Sequence, residues 1–198
     1  VLLGGLAGTP RGRVAVLGAG AAGIAAAGLA AAAGAEVTAF DKRAERLEAA
    51  RALGANVTAL YPFPSAVAAA VAAADLVVGA VLIPGARAPG VVTREMVRGM
   101  APGSVVADVS VDQGGCVETT RPTTYADPTY VEEGVVHFAV TNMPGAVPRS
   151  ASEALSGALA AYVLELAEPG WEHRVPALAG AVNLRDGHLV HPALLAGE

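Results

Sequence analysis

The chain has 198 residues, a formal net charge of −5, 54% hydrophobic residues and one cysteine, Cys116. That length suits one domain with an appendage, able to bury roughly 70% of its unfolded surface. The acidic balance argues against a nucleic-acid partner, the single cysteine rules out an internal disulfide and fits a reducing cytoplasm, and no apolar run reaches the ~20 residues that span a bilayer.

In chain order, VLLGGLAGTP reads as the end of an apolar helix followed by a Gly/Pro linker. No charged n-region with a cleavage site opens the chain, so export has no support. Val14–Leu17 is a β-branched strand candidate that runs into Gly18-x-Gly20-x-x-Gly23 and then the alanine-rich helix Ala21–Ala33. Gly18 suits a tight turn, Gly20 lets backbone amides approach a pyrophosphate, and Gly23 lets the helix pack closely on the strand. The helix N-terminus, with Ala21 and Ala22, presents N–H groups and a partial positive charge to phosphates. Strand Glu36–Phe40 ends at Asp41, whose carboxylate is placed to accept hydrogen bonds from adenosine ribose hydroxyls. Lys42, Arg43 and Arg46 follow and could attract a 2′-phosphate, but Asp41 would repel it, so NAD is expected over NADP.

Further helices are predicted at Ala44–Leu53, Ser65–Ala74 and Thr93–Met100, the last capped by Thr93, and further strands at Asn56–Leu60, Leu76–Ala80, Val105–Asp108 and Val135–Val140. Short, continuously apolar strands alternating with helices predict a doubly wound parallel sheet, an α/β Rossmann domain over residues 1–148. Its ligand belongs outside the carboxyl ends of the strands. Loops there supply the remaining candidates. The Gly79–Gly85 loop, with Ala80, Val81 and Leu82, can cover the adenosine. Val109–Gly134 is a long polar Thr/Pro-rich loop, of a length usually functional or disordered, and its Gly114–Gly115, Arg121–Pro122 and Asp127–Pro128 pairs favour defined turns. It opens as DVSVDQGG, where Asp108 or Asp112 could orient an ammonium group, transfer a proton, or simply cap a turn. Asn142 could hydrogen-bond a carboxamide or carboxylate, and Met143 could pack on a nicotinamide, although NMPG is also a good turn.

Residues 149–198 form a C-terminal appendage: a helix Ser150–Glu168 with Ser150 or Ser152 as N-cap, a stop at Pro169–Gly170, then a shorter helix or turn and an extended tail. The histidines lack metal-ligand spacing, so no metal is assigned; His137 and Cys116 read as core.

The segments VLLGG, VLGAGAAG, LVVGAVLIPGARAP, TREMV, MAPGSVVADVSVDQGGCVETTRPTTY, DPTYVEEGVVHFAVTNMPGAVPRSAS and GHLVHPAL together resemble the C-terminal part of the alanine dehydrogenase family. That family also includes the NAD-binding part of proton-translocating transhydrogenase. The likeness covers nearly the whole chain, and DQGGC with RPTT resembles the alanine dehydrogenase branch; a transhydrogenase NAD(H) subunit and a non-catalytic NAD-binding module are the alternatives, with a glycine-loop methyltransferase ranked last. The resemblance implies reversible oxidative deamination of L-alanine to pyruvate and ammonia with NAD as hydride acceptor. It gives Asp112 the catalytic role, Asn142 a substrate contact, and a cofactor set of Gly18, Gly20, Ala21, Ala22, Gly23, Asp41, Lys42, Ala80, Val81, Leu82, Val109, Asp112, Asn142 and Met143. It also implies a homo-oligomer, a hexamer, while the composition leads to the expectation of a cytoplasmic chain with neither a membrane nor a nucleic-acid partner. The family's substrate-binding Arg and Lys and its catalytic His lie in an N-terminal domain and match no residue here. The chain is therefore expected to be the cofactor half of a larger enzyme, inactive by itself.

Overall fold

The computed structural model describes residues 1–83 and 88–195. Its elements, in chain order, begin with β1 (Arg13–Leu17), α1 (Ala21–Ala32), β2 (Glu36–Phe40), α2 (Ala44–Arg51), β3 (Val57–Leu60) and α3 (Pro64–Ala73). They continue with β4 (Leu76–Gly79), α4 (Arg94–Arg98), β5 (Val105–Asp108), a 3-10 turn at Val109–Gln113, β6 (Thr129–Glu132) and β7 (Val135–Phe138). After a second 3-10 turn at Met143–Ala146 come α5 (Pro148–Leu166), α6 (Trp171–Arg174), α7 (Pro176–Ala179), β8 (Leu184–Arg185), β9 (His188–Leu189) and α8 (Pro192–Leu195).

Among the described residues seven strands form one sheet in the order β3-β2-β1-β4-β5-β7-β6. All neighbours are parallel except β6, which pairs antiparallel with β7. This is the expected doubly wound arrangement, with the strand order reversing between β1 and β4. Alternation along each strand divides the core between two faces. Ala15, Leu17, Phe40, Val77 and Val106 pack with Val67 and Val71 of α3 and Val97 of α4. Val14, Val16, Val37 and Ala39 pack on the other side with Ala27, Ala30 and Ala31 of α1 and Ala50 of α2. Alanines on α1 let that helix lie close to the sheet, which fits a low-volume, high-contact interface.

Three local readings change. Residues 1–10 form turns, with a bridge between Leu6 and Thr9, where an apolar helix end was expected. The polar segment before Val135 contains strand β6, joined to β7 through Glu133 and Gly134, whose φ values of +53° and +77° suit a tight two-residue hairpin. Helix α5 starts at Pro148 with Val147 as N-cap and without a side-chain cap, because Pro fits the first helical turn and starts it ahead of Ser150. Thr93 does cap α4, accepting from the Met96 N–H.

The chain forms two compact units, Val1–Thr141 and Asn142–Glu198. The sheet and its helices make up the first. The second holds α5, the short helices and the β8–β9 hairpin, and among the described residues of α5 none is buried. No described helix is long and apolar enough to cross a membrane.

Candidate functional site

The carboxyl ends of β1, β2, β4 and β5 meet at the point where the strand order reverses. Gly18 leaves β1 with φ +93°, and its N–H donates to the Phe40 carbonyl at 2.8 Å. A methyl group at Gly18 would lie 2.5 Å from the Ala80 carbonyl oxygen, so the loop is wedged between β2 and β4. A methyl group at Gly23 would lie 1.7 Å from the Gly18 carbonyl oxygen, which is why α1 can follow the turn at once. Gly20 is different. A Cβ there would meet only the Arg46 guanidinium, at 3.7 Å, and Gly20 caps α1 without a side chain. The backbone of the first turn is therefore left open to an incoming anion.

Asp41 stands at the lip of this loop, buried, with its Oδ2 accepting from the Ala19 N–H at 2.9 Å and its Oδ1 from the Arg43 N–H at 3.0 Å. Arg46, on α2, donates to Oδ2 at 3.3 Å. Burial pushes the Asp41 carboxyl upward, but the N–H groups of Arg43 and Ala19 and the Arg46 guanidinium outweigh it and hold the carboxyl below its ordinary range. An open helix start beside a fixed, ionised acceptor fits the pyrophosphate and ribose of a dinucleotide.

The other side of the crevice is built from the loops after β4 and β5. The Ala80 N–H donates to the Leu17 carbonyl at 2.8 Å, and Ser110 Oγ donates to the Val81 carbonyl at 2.9 Å. Val109 and Asp112 lie on the 3-10 turn, Val109 half-buried and Asp112 exposed. Ala21, Ala22, Lys42 and Leu82 are exposed and Val81 is half-buried. Pro84 and Gly85 of the predicted adenosine-covering loop lie outside the described residues. Asn142 and Met143 fall in the second unit, at the start of its 3-10 turn, where Asn142 has φ +52°.

Gln113 and Thr120 carry no signal in the sequence pattern, whereas Asp108 takes the turn-capping role that the sequence left open. Asp108 ends β5 fully buried and gathers the loop that follows, accepting from the N–H groups of Ser110, Cys116 and Val117 and from Thr120 Oγ1. Cys116 is buried beside it; burial, and then the Asp108 charge, push its thiol up to about 12, so it is no nucleophile. His137 is buried as expected. Its Nδ1 faces the Val135 carbonyl at 3.0 Å and its Nε2 lies 2.7 Å from Thr119 Oγ1, while Tyr130 stacks on its ring. A carbonyl can only accept, so Nδ1 carries the proton and Nε2 takes the threonine hydroxyl. Gln113 Oε1 is buried with no hydrogen-bond partner. Among the described residues no group of three or more His, Cys, Asp or Glu could hold a metal.

Comparison with known proteins agrees with this fold. The family model for "Alanine dehydrogenase/PNT, C-terminal domain" matches residues 1–192. An alanine dehydrogenase of Geobacillus stearothermophilus is 50% identical over 203 aligned residues, covering 100% of this chain and 54% of that protein. A solved L-alanine dehydrogenase structure superposes with a TM-score of 0.86 at 47% identity, covering 99% of this chain and 55% of the other. The crystal structure of transhydrogenase from Sinorhizobium meliloti gives 0.78 at 31% identity, over 98% and 55% of the two chains. The chain thus spans about half the length of the curated relatives it matches.

Proposed function

The chain belongs to the family of the alanine dehydrogenase/PNT C-terminal domain, and from that premise we propose that it is the NAD-binding part of an alanine dehydrogenase, which converts L-alanine reversibly to pyruvate and ammonia. The observation that carries the reading is the Ala19 N–H donating to Asp41 at 2.9 Å, because it fixes an acceptor at the rim of the open glycine turn. A ribose hydroxyl donates to that carboxylate; a 2′-phosphate is repelled by it. A hydrogen bond to a charged group is worth ~1.5–3 kcal/mol, so its loss disfavours NADP by about ten- to a hundredfold. Arg46 is already engaged by Asp41 and does not reverse this preference.

The bound dinucleotide supplies the hydride acceptor for oxidation at the substrate Cα. The first turn of α1 holds the pyrophosphate through its N–H groups, and Gly20 gives the anion access. The Ala80–Leu82 segment covers the adenosine, and Lys42 lies next to the ribose acceptor. Asp112, exposed on its 3-10 turn, holds the substrate amine or takes the proton of an attacking water. Asn142 and Met143 keep the substrate and nicotinamide contacts that the TNMPGAVP likeness implies. The Arg, Lys and His that this likeness assigns to substrate clamping and acid–base work have no counterpart in the sequence, so these 198 residues bind without turning over.

Calorimetric titration of the chain with NADH and NADPH, followed by an assay for alanine-dependent NADH formation, tests the reading. Saturable binding that favours NADH by tenfold or more, a preference narrowed by Asp41→Asn, and no turnover are expected. A folded chain that binds neither nucleotide, or one that turns over alanine at an ordinary enzymic rate, overturns it.

A further inference from the structure

Asp108 has no solvent exposure, and the function proposed above gives it no task. Its Oδ1 accepts from the Ser110 N–H at 3.0 Å. Its Oδ2 accepts from the N–H groups of Cys116 and Val117, at 2.9 and 3.2 Å, and from Thr120 Oγ1 at 2.7 Å. The donors lie at both ends of one excursion of the chain. It leaves β5, makes the 3-10 turn that carries Asp112, reverses through Gly114 and Gly115 at φ +88° and +76°, and returns to the same carboxylate. Two glycines keep the space for it: a methyl group at Gly79 would stand 2.8 Å from Oδ1, and one at Gly115 2.9 Å from Oδ2. Ser110, held by Asp108 through its N–H, uses its hydroxyl to bind the Val81 carbonyl and so ties the loop to the one after β4.

We propose that Asp108 is a positioning residue: it fixes the Val109–Asp112 turn, which lies beyond the adenosine-covering Ala80–Leu82 segment, and thereby sets the nicotinamide half of the dinucleotide site, opposite Asp41. The inference rests on the reading that this crevice takes NAD(H). A dinucleotide spans the point where the strand order reverses, with one mononucleotide on each side. Asp41, at the end of β2, serves the adenosine side. The Asp108-held turn, at the end of β5 and beyond β4, serves the nicotinamide side. The two acids accordingly divide the ligand between them, one by touching it and the other by holding what touches it.

The division can be measured by comparing NADH with ADP-ribose, which lacks the nicotinamide. In Asp108→Asn an amide NH2 replaces one acceptor and meets backbone N–H donors, so the loop loosens while the glycine turn and Asp41 are untouched. Expected are a loss of NADH affinity of about tenfold, ADP-ribose affinity within about twofold of the parent, and a Cys116 thiol that reacts with Ellman's reagent where the parent's does not. Thr120→Val removes one hydrogen bond with little change of shape and should lower NADH affinity and raise Cys116 reactivity by less, again leaving ADP-ribose affinity unchanged. It decides alone if Asp108→Asn does not fold. A folded variant that binds both ligands as the parent does overturns the proposal, and so does one that loses both equally. Failure of the parent chain to bind NADH or ADP-ribose is a different result: it removes the NAD reading and the positioning role falls with it.

Discussion

Gly23 and Gly28 lie on the same helix, and both would be replaced by alanine on helix propensity alone, a gain of about 0.8–1.0 kcal/mol in an exposed interior. Their surroundings separate them. A methyl group at Gly28 would touch only Leu53 Cδ2, at 3.6 Å, an ordinary contact. At Gly23 it would stand 1.7 Å from the Gly18 carbonyl oxygen, a backbone atom that cannot yield without unseating the turn. Urea denaturation should therefore show Gly28→Ala equal to or up to about 1 kcal/mol more stable than the parent. Gly23→Ala should be destabilised by more than about 3 kcal/mol, with NADH binding lost. Equal stabilities would mean that α1 is not seated on the Gly18 turn. This contrast was legible in the GxGxxG spacing, because close packing leaves a glycine signature. The ion pair of Asp41 with Arg46 was not, since a basic residue on a helical surface is by default solvated.

At the scale of elements, the parallel strands and their helices declared themselves through β-branched runs alternating with alanine-rich ones. β6 did not. TYVE sits in a Thr/Pro-rich stretch, and its half-buried residues alternate with exposed ones because it is the edge strand. The 3-10 turn was legible in part: the strand was expected to end at Asp108 with a turn near Gly114–Gly115, but VSV continues the apolar pattern of β5 and does not itself announce a turn. β6 also completes the enclosure of His137 on β7, through Tyr130. Burial lowers the His137 pKa, against the carbonyl of Val135, which raises it. The unfolded chain then takes up a proton more readily than the folded one. Stability from this group is complete above the ordinary histidine pKa and is lost as the pH falls below it, by at most about 1.4 kcal/mol per pH unit. Thermal melts at pH 7.5 and pH 5.5 should show a fall in Tm for the parent that is clearly smaller in His137→Phe. An identical fall in both would place the acid sensitivity elsewhere.

At the scale of the whole molecule, what stands out is how differently the two units bury their apolar residues. The first closes its sheet between two helical layers, whereas α5 in the second leaves Leu155, Leu159, Tyr162 and Leu166 exposed along one stripe, with Tyr162 the least exposed at 43%. A stripe repeating at this spacing marks a single helical face, and contiguous apolar patches beyond a few hundred Å² on soluble proteins mark association surfaces. Water contact along such a face is unfavourable by about 25 cal/mol per Å², so two such faces gain by meeting. The chain is expected to self-associate at micromolar concentration, as sedimentation velocity would show. Leu159→Lys combined with Tyr162→Glu places opposite charges one turn apart in the middle of the stripe, which removes the apolar surface and keeps the helix paired. That variant should sediment as a monomer while its NADH affinity stays within about twofold of the parent, because the glycine turn, Asp41 and the Asp108-held loop all belong to the first unit. A parent chain that is already monomeric and monodisperse would show that the stripe tolerates water. A variant that dissociates but also loses NADH would show that association and cofactor binding depend on each other.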